Sequence, residues 1–450
     1  MSSKTMFTNG MFGYYMSLAV RSLKRSKALT ALMIFAIALG IGASMTTLTV
    51  FYVLSGNPIP QKSETLFYPH IDAASKRGYE PGGDPESQMT RFDAEALLRD
   101  KRGDRQALMT AGSVAIEPDR NGMPPFIADA RFTTADFFPM FDVPFAHGRT
   151  WTSADDEARA RFVVISSELN EKLFDGGNSV GKTIRLEQTA FKIIGVLKQW
   201  RPRPRFYDVT QSRFSSDEQL FVPFWTSRAV DMSPNGNMNC WDGGDKKAEE
   251  DKEGNRGVNA NCAWLQYWVE LNSPAKVAAY RQYLNNYSAQ QRAAGRFERP
   301  NNVRLDDVMQ WMDVNGMVPQ DVRLQGWLAF AFLFVCLVNT IGLLLAKFLR
   351  RSSEIGVRRA LGATKRDIFA QYLIEAGVIG LAGGALGLGF AWLGLWAVRQ
   401  QPTDYAELAH LDGAMLVAAV ALSLIASLFA GLLPAWRACQ IAPAIQLKSQ

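Results

Sequence analysis

Four stretches of this chain run without a single charged residue: 28–61, 324–346, 376–398 and 413–436, or 34, 23, 23 and 24 positions. Charged residues make up 20% of the 450 positions, so composition alone does not produce runs of that length. Each run holds the roughly 20 apolar residues that cross a bilayer core. A wholly soluble fold is therefore excluded, although the mean hydropathy is only −0.07.

The formal charge of +6 is unevenly placed. Residues 1–27 hold Lys4, Arg21, Lys24, Arg25 and Lys27 and no acid. Residues 347–375 hold seven bases against Glu354, Asp367 and Glu375, and 437–450 hold Arg437 and Lys448. The loop 399–412 is acidic, and 62–323 carries 34 bases against 37 acids. Bases near span ends mark the cytoplasmic side. Both termini and the loop 347–375 are thus expected inside, with 62–323 and 399–412 outside. The excess base orients spans and is not the footprint of nucleic-acid binding.

The expected fold is a membrane protein with four transmembrane α-helices and a large α+β extracytoplasmic domain inserted between the first and second spans. Its parts are a cytoplasmic leader (1–27), a span (28–54), the external domain (55–323), a span (324–346) and a cytoplasmic loop (347–371). A third span (372–398), a short external loop (399–412), a fourth span (413–436) and a cytoplasmic tail (437–450) follow. The first run exceeds the apolar region of about 7–15 residues found in a cleaved signal peptide, and Ser55–Pro60 is a poor cleavage site, so a retained anchor is expected. Ahead of it, Tyr15, Leu18, Ala19 and Leu23 fall near one face of a basic amphipathic helix suited to the headgroup region.

In the external domain, Phe162–Ile165 reads as a buried strand, 166–174 as a short Ser-capped helix, and 183–187 with 190–197 as paired strands. Ser273 caps a helix at 274–294 with Pro274 in its first turn. The Gly/Asp-rich segment 231–262 reads as an inserted loop. Gly176-Gly-Asn-Ser-Val-Gly-Lys-Thr183 fits the phosphate-loop spacing, but that loop needs a strand before it and a helix after it. Here the order is reversed, so a helix-to-strand turn is expected. His70, His147 and His410 have no metal-ligand spacing. Trp200-Arg-Pro-Arg-Pro-Arg-Phe-Tyr207 reads as a solvated loop, with contact to an acidic partner or lipid headgroups as the sharper alternative. Cys240 and Cys262 lie outside, flanking a polar segment. In an oxidising space they can pair, closing a loop of about 20 residues worth roughly 3 kcal/mol; two free thiols are the alternative.

The spans carry no acid or base in their middles, so ion coupling through intramembrane carboxylates is unsupported. They are instead rich in small residues. Ala36/Gly40, Gly40/Ser44, Gly380/Gly384 and Gly383/Gly387 are small-xxx-small pairs that let helices approach closely, either within the chain or at a dimer face. Trp327, Trp396 and Trp436 stand at span ends, as interfacial anchors do.

The inner loop is the most specific feature. Glu354-Ile-Gly-Val-Arg-Arg-Ala-Leu-Gly-Ala363 resembles the E-I-G-[IV]-R-[RK]-A-[LIV]-G-A segment of the MacB/FtsX-like family of ABC transporter permeases, the type VII or mechanotransmission class. Pro434, Ala435, Ala438, Pro443 and Leu447 resemble the family's C-terminal pattern, with Gln446 a departure from its usual Ala. Ala19–Arg25, Phe132–Arg149 and 162–197 resemble its leader and external-domain segments.

The resemblance implies a permease (transmembrane) subunit with no catalytic site and no cofactor bound by this chain, ATP and Mg being held by a separate ABC ATPase subunit. It implies a second permease copy, identical or paralogous, lipid contact, and in some systems a periplasmic adaptor, in the inner membrane of a bacterium. It further implies that Glu354, Ile355, Gly356, Arg358, Arg359, Leu361 and Gly362 dock on the ATPase. Three outputs are compatible with it: export of a toxin, antibiotic or peptide; extraction of lipoproteins; and regulation of a cell-wall hydrolase.

Overall fold

The computed structural model describes residues 21–22, 26–119, 122–209, 217–241, 253–318, 320–401 and 412–440. The leader positions Tyr15, Leu18, Ala19 and Leu23, His410, and the tail positions Pro443, Gln446 and Leu447 lie outside them. Two compact units result, one of 56–317 and one formed by the chain on either side of it.

The chain enters through helix α1 (Lys27–Ser55) and then builds the inserted domain. Its strands are β1 (Leu66–Ile71), β2 (Met89–Thr90), β3 (Arg105–Glu117), β4 (Phe126–Thr133), β5 (Phe145–Gly148), β6 (Phe162–Ile165), β7 (Thr183–Leu186), β8 (Thr189–Leu197), β9 (Leu220–Pro223), β10 (Pro234–Asn235), β11 (Asn239–Cys240), β12 (Cys262–Glu270) and β13 (Val303–Asp307). Its longer helices are α2 (Arg91–Asp100), α3 (Ser167–Phe174), α4 (Pro274–Ala293) and α5 (Val308–Val314).

The main path of the sheet runs β13-β1-β12-β3-β4-β9-β6-β8-β5. Its neighbours are antiparallel except β4–β9 and β6–β8. The β6-to-β8 connection carries α3, as a parallel pair requires. Helix starts follow local chemistry: Ser166 accepts from the Leu169 amide at 3.1 Å, and Ser273 accepts from the Lys276 amide with Pro274 in the first turn.

Side-chain alternation sends successive strand residues into two separate cores. Phe67, Leu108, Tyr267 and Val269 join one core with Leu97 of α2, Leu169 of α3 and Leu284 of α4. Tyr68, Ala107, Met109 and Trp268 join the other with Trp311 of α5, Phe137, Trp151 and Tyr207. A sheet covered on both faces buries every position of a strand, as β1 and β12 do.

The segment 200–207 corrects the reading of a solvated basic loop. Trp200 stacks on Tyr207 with ring centroids 5.5 Å apart, and Phe206 and Tyr207 are each 1% exposed. Their carbonyls accept from the Trp311 and Trp268 indoles, both at 2.9 Å. Arg201 pairs with Glu168 and Asp217, Arg203 with Asp217, and Arg205 with Glu218. The strip's charge is neutralised inside the domain, by acids that a local charge count does not associate with it. Glu218 also holds Arg131, which is fully buried and bonded to Asp208 at 2.7 Å. Burial raises the Glu218 carboxyl, but Arg131 and Arg205 outweigh that and hold it down at about 2.

The phosphate-loop lookalike is the turn from α3 to β7. Gly176 and Gly181 take φ of +75° and +92°, and Ser179 and Asn170 are bonded at 2.6 Å. Lys182 lies 4.7 Å over the Phe174 ring. In the segment read as an inserted loop, β10 pairs with β3 and β11 pairs with β12. Cys240 and Cys262 stand directly opposite each other there and are disulfide-bonded.

The second unit contains α1, α6 (Gln320–Leu349), α7 (Ser352–Ala360), α8 (Lys365–Arg399) and α9 (Gly413–Cys439). All but α7 are long and apolar enough to cross a membrane. Half of α1's most apolar stretch is buried, against 28% for α6, so α1 lies at the centre and α6 at the margin. A side chain added at Gly40 would meet Leu333 of α6, at Gly383 or Gly387 would meet Ile37, Ala38 or Ile41 of α1, and at Gly380 or Gly384 would meet Ser427 or Ser423 of α9. The Ser44 hydroxyl donates to the Ala329 carbonyl at 3.2 Å. All six small residues are buried by the chain's own helices. Trp327, Trp396 and Trp436 remain half or more exposed.

Candidate functional site

The candidate site is the basic end of the helical unit, where α7 joins α6 to α8. Helix α6 runs three residues past its uncharged run and ends at Leu349. Lys347 therefore sits in its last turn, facing inward. Helix α8 begins at Lys365, well before the third run, so Glu375 also lies inside a helix. Lys347 Nζ and Glu375 Oε1 are 2.5 Å apart, with side chains 2% and 1% exposed. Ser22 donates its hydroxyl to the same carboxylate oxygen. Arg351, just before α7, donates to the Ser22 hydroxyl and carbonyl. A relay Arg351–Ser22–Glu375–Lys347 thus fastens the segment before α1, the end of α6 and the start of α8 to one another.

Helix α7 is held on one side and open on the other. Ile355 is 3% exposed and joins Phe348, Ile368 and Tyr372 in the helical core, where the Phe348 and Tyr372 rings lie 4.0 Å apart. Gly356 is buried too. Arg358 donates to Glu354 at 2.7 Å and to Gln371 of α8 at 2.9 Å, bracing the helix against its neighbour. On the outer side Val357 is 52% exposed and Leu361 82% exposed, one helical turn apart. Arg359 is half-buried.

The helix ends in a Schellman turn: the Gly362 amide donates to the Arg359 carbonyl and the Ala363 amide to the Arg358 carbonyl. Gly362 takes φ +102°, a conformation that L side chains rarely adopt. Thr364 and Asp367 then form a reciprocal cap that starts α8.

Of the residues singled out from sequence, Glu354 and Arg358 form an ion pair. Ile355 and Gly356 face the core, Leu361 faces out, and Gly362 makes the terminating turn. Val357 and the Lys347–Glu375 pair were not legible as site residues. Val357 is an ordinary apolar residue in a helical pattern, and Lys347 and Glu375 each border a run and read as its flanking charge. The site presents a small apolar knob on a helix locked to the ends of two spans.

The MacB-like periplasmic core domain family matches residues 30–287, and the FtsX-like permease C-terminal family matches 326–443. The chain belongs to the MacB/FtsX-like family of type VII ABC transporter permeases, multi-pass membrane proteins with a large domain between the first and second spans. It is 24% identical over 386 residues to the pyoverdine export ATP-binding/permease protein PvdT of Pseudomonas fluorescens, covering 83% of this chain and 50% of that protein. It is 24% identical over 471 residues to the macrolide export ATP-binding/permease protein MacB of Syntrophobacter fumaroxidans, covering 96% of this chain and 63% of that one. The chain thus spans one half to two-thirds of the length of these two relatives. An uncharacterized ABC transporter permease, YvrN of Bacillus subtilis, is 24% identical over 321 residues, covering 70% of this chain and 68% of that protein. The periplasmic region of MacB from Actinobacillus actinomycetemcomitans aligns with a TM-score of 0.35 at 14% identity, over 57% of this chain and 94% of that structure.

Proposed function

We propose that this chain is the permease subunit of an ABC exporter, working in a bacterial inner membrane with α7 on the cytoplasmic side. A separate ATPase chain holds ATP and Mg, and a second permease copy completes the unit. Closure of the ATPase pushes on α7. The relay through Arg351, Ser22, Glu375 and Lys347 passes the push to α6 and α8, and α6 passes it to the inserted domain, which acts on a toxin, antibiotic or peptide outside. The chain itself contributes no catalysis.

The observation that carries this reading is the exposed pair Val357 and Leu361 on a short helix locked to two spans. Apolar side chains held rigidly at a water-facing end fit a cleft in a soluble partner. Family membership and the export names of the relatives support the same direction.

The test is co-purification from membranes of the tagged chain, wild type against the double variant Val357→Asp/Leu361→Asp. The wild type is expected to retain a chain with vanadate-sensitive ATP hydrolysis, and the variant to lose it while inserting normally. Equal retention of that ATPase by both would sink the proposal.

A further inference from the structure

The inserted domain holds a cleft of about 580 Å³. That is room for a small organic molecule. Its lining comes from the end of α2, the start of β3, residues 134–136 and two short helices, Ser153–Glu157 and Phe224–Ala229. Leu98 and Trp225, both half-buried, give it apolar walls.

Most charges around the cleft are already matched. Glu95 pairs with Arg91 and Arg105 with Glu270, both at 2.7 Å, and Asp104 pairs with Lys276. Arg99 and Lys101 are exposed. Asp136 and Asp156 differ. Each accepts one backbone hydrogen bond, from the Gln106 amide at 3.0 Å and the Ala135 amide at 2.8 Å. Neither has a basic partner within ion-pair distance among the described residues. Burial pushes the Asp156 carboxyl up, and Asp136 stands close enough to add to that.

Asp156 is 3% exposed, and its Oδ1 has no hydrogen-bond partner among the described residues. The Trp151 indole stands near enough to favour the charged form, yet it too closes no hydrogen bond. A buried carboxylate oxygen without a donor is costly. Asp156 lines the cleft, so a cationic donor seated there supplies both the missing hydrogen bond and the missing charge. Two carboxyls beside apolar walls suit an ammonium group on a hydrocarbon body better than a metal ion, which takes six or more oxygens. The described residues hold no cluster of three or more side chains fit to bind a metal.

We propose that this cleft binds an organic ammonium ion, its nitrogen held by Asp156 and Asp136 and its apolar body against Leu98 and Trp225. Charge-assisted hydrogen bonds hold the nitrogen, and the Trp225 ring adds attraction for the cation. The site is argued from the cleft alone. That its occupant is the compound acted on outside rests on the exporter reading, and gives that compound a class: an amine with an apolar body.

The experiment titrates the full chain in lipid nanodiscs against para-fluorobenzylamine at slightly alkaline pH, read by fluorine NMR line broadening, with empty nanodiscs as the blank. The wild type is expected to broaden the amine signal and to leave the uncharged para-fluorobenzyl alcohol sharp. Asp156→Asn keeps an oxygen for the Ala135 amide and removes the charge; it should weaken binding about ten-fold, the loss of one charge-assisted hydrogen bond. Trp225→Ala should weaken it about three-fold. Asp84→Asn, at an exposed acid outside the cleft, should bind as the wild type does. Equal binding by the wild type and Asp156→Asn, equal broadening of amine and alcohol, or no broadening beyond the blank would each overturn the proposal. The titration needs no ATPase, so such a failure leaves the exporter reading standing, and a chain that retains no ATPase leaves the cleft standing.

Discussion

Lys347 and Glu375 are 28 positions apart in sequence and form one ion pair, 2.5 Å from nitrogen to oxygen and closed to solvent. Removing one member of a buried pair leaves the other charge stranded, typically at a cost of about 3–5 kcal/mol, whereas replacing both with apolar residues is often neutral. Glu375→Ala also strips the Ser22 hydroxyl of its acceptor. The single variants Glu375→Ala and Lys347→Met are each expected to lower the melting temperature of the detergent-solubilised chain markedly. The double variant Lys347→Met/Glu375→Leu is expected to recover most of that loss. A double variant as unstable as the sum of the singles would show that the two side chains act independently.

Gly362 isolates a backbone effect. It closes α7 at φ +102°, and nothing lies within 4 Å of where a side chain would begin. Gly362→Ala therefore adds no clash, only backbone strain of roughly 1–2 kcal/mol. Hydrogen exchange at the amides of 358–363 should accelerate about five- to thirty-fold in that variant. Gly377 is the control: it is helical within α8 and also has open space around it. Gly377→Ala should leave the same amides unchanged, and equal effects from both substitutions would argue against strain at Gly362.

The spans were legible because lipid demands a long uncharged run and little else, and the structure places helices at all four. The capped helices at Ser166 and Ser273 were legible for a similar reason, since capping is local chemistry. Strands β3 and β12 were not. With both sheet faces covered, Trp268 enters one core while Tyr267 and Val269 enter the other, so the apolar/polar alternation that marks a strand disappears. The arginines of 201–205 misled because their acidic partners come from other elements, Glu168 in α3 and the Asp217–Glu218 pair before β9. At the site, the motif drew attention to α7 itself. What α7 is fastened to depends on Ser22, Lys347 and Glu375, which are far apart in sequence and meet only where the end of α6 and the segment before α1 reach α8.

The bond between Cys240 and Cys262 encloses a segment with a sequence separation of 22. Closing a loop of that size stabilises by about 3 kcal/mol in the chain-entropy model. The double variant Cys240→Ser/Cys262→Ser is expected to melt lower than the oxidised wild type and to match the reduced wild type. Cys336 and Cys439 are free and buried in the helical unit, so reductant should change nothing further in the variant. If the oxidised and reduced wild type melt at the same temperature, the bond contributes no stability.

Asp156 gives the inserted domain a pH dependence of unusual sign. It is 3% exposed, and its Oδ2 accepts from the Ala135 amide at 2.8 Å. Burial pushes its carboxyl up to about 7, outweighing the Ala135 amide and the Trp151 indole, which favour the charged form. The folded value lies above the unfolded one, so the native state holds a proton that the unfolded chain releases. The contribution is complete below about pH 4 and declines as pH rises through 7, by up to about 4 kcal/mol in all. Glu218, held at about 2, titrates below this window and stays charged across it. Asp156→Asn keeps a carbonyl oxygen for the Ala135 amide and has no proton to lose. Between pH 5 and 8 the wild type should therefore lose stability relative to Asp156→Asn, measured as urea midpoints of the full chain at each pH. A difference between the two proteins that stays constant over that range would mean Asp156 is already ionised in the folded domain.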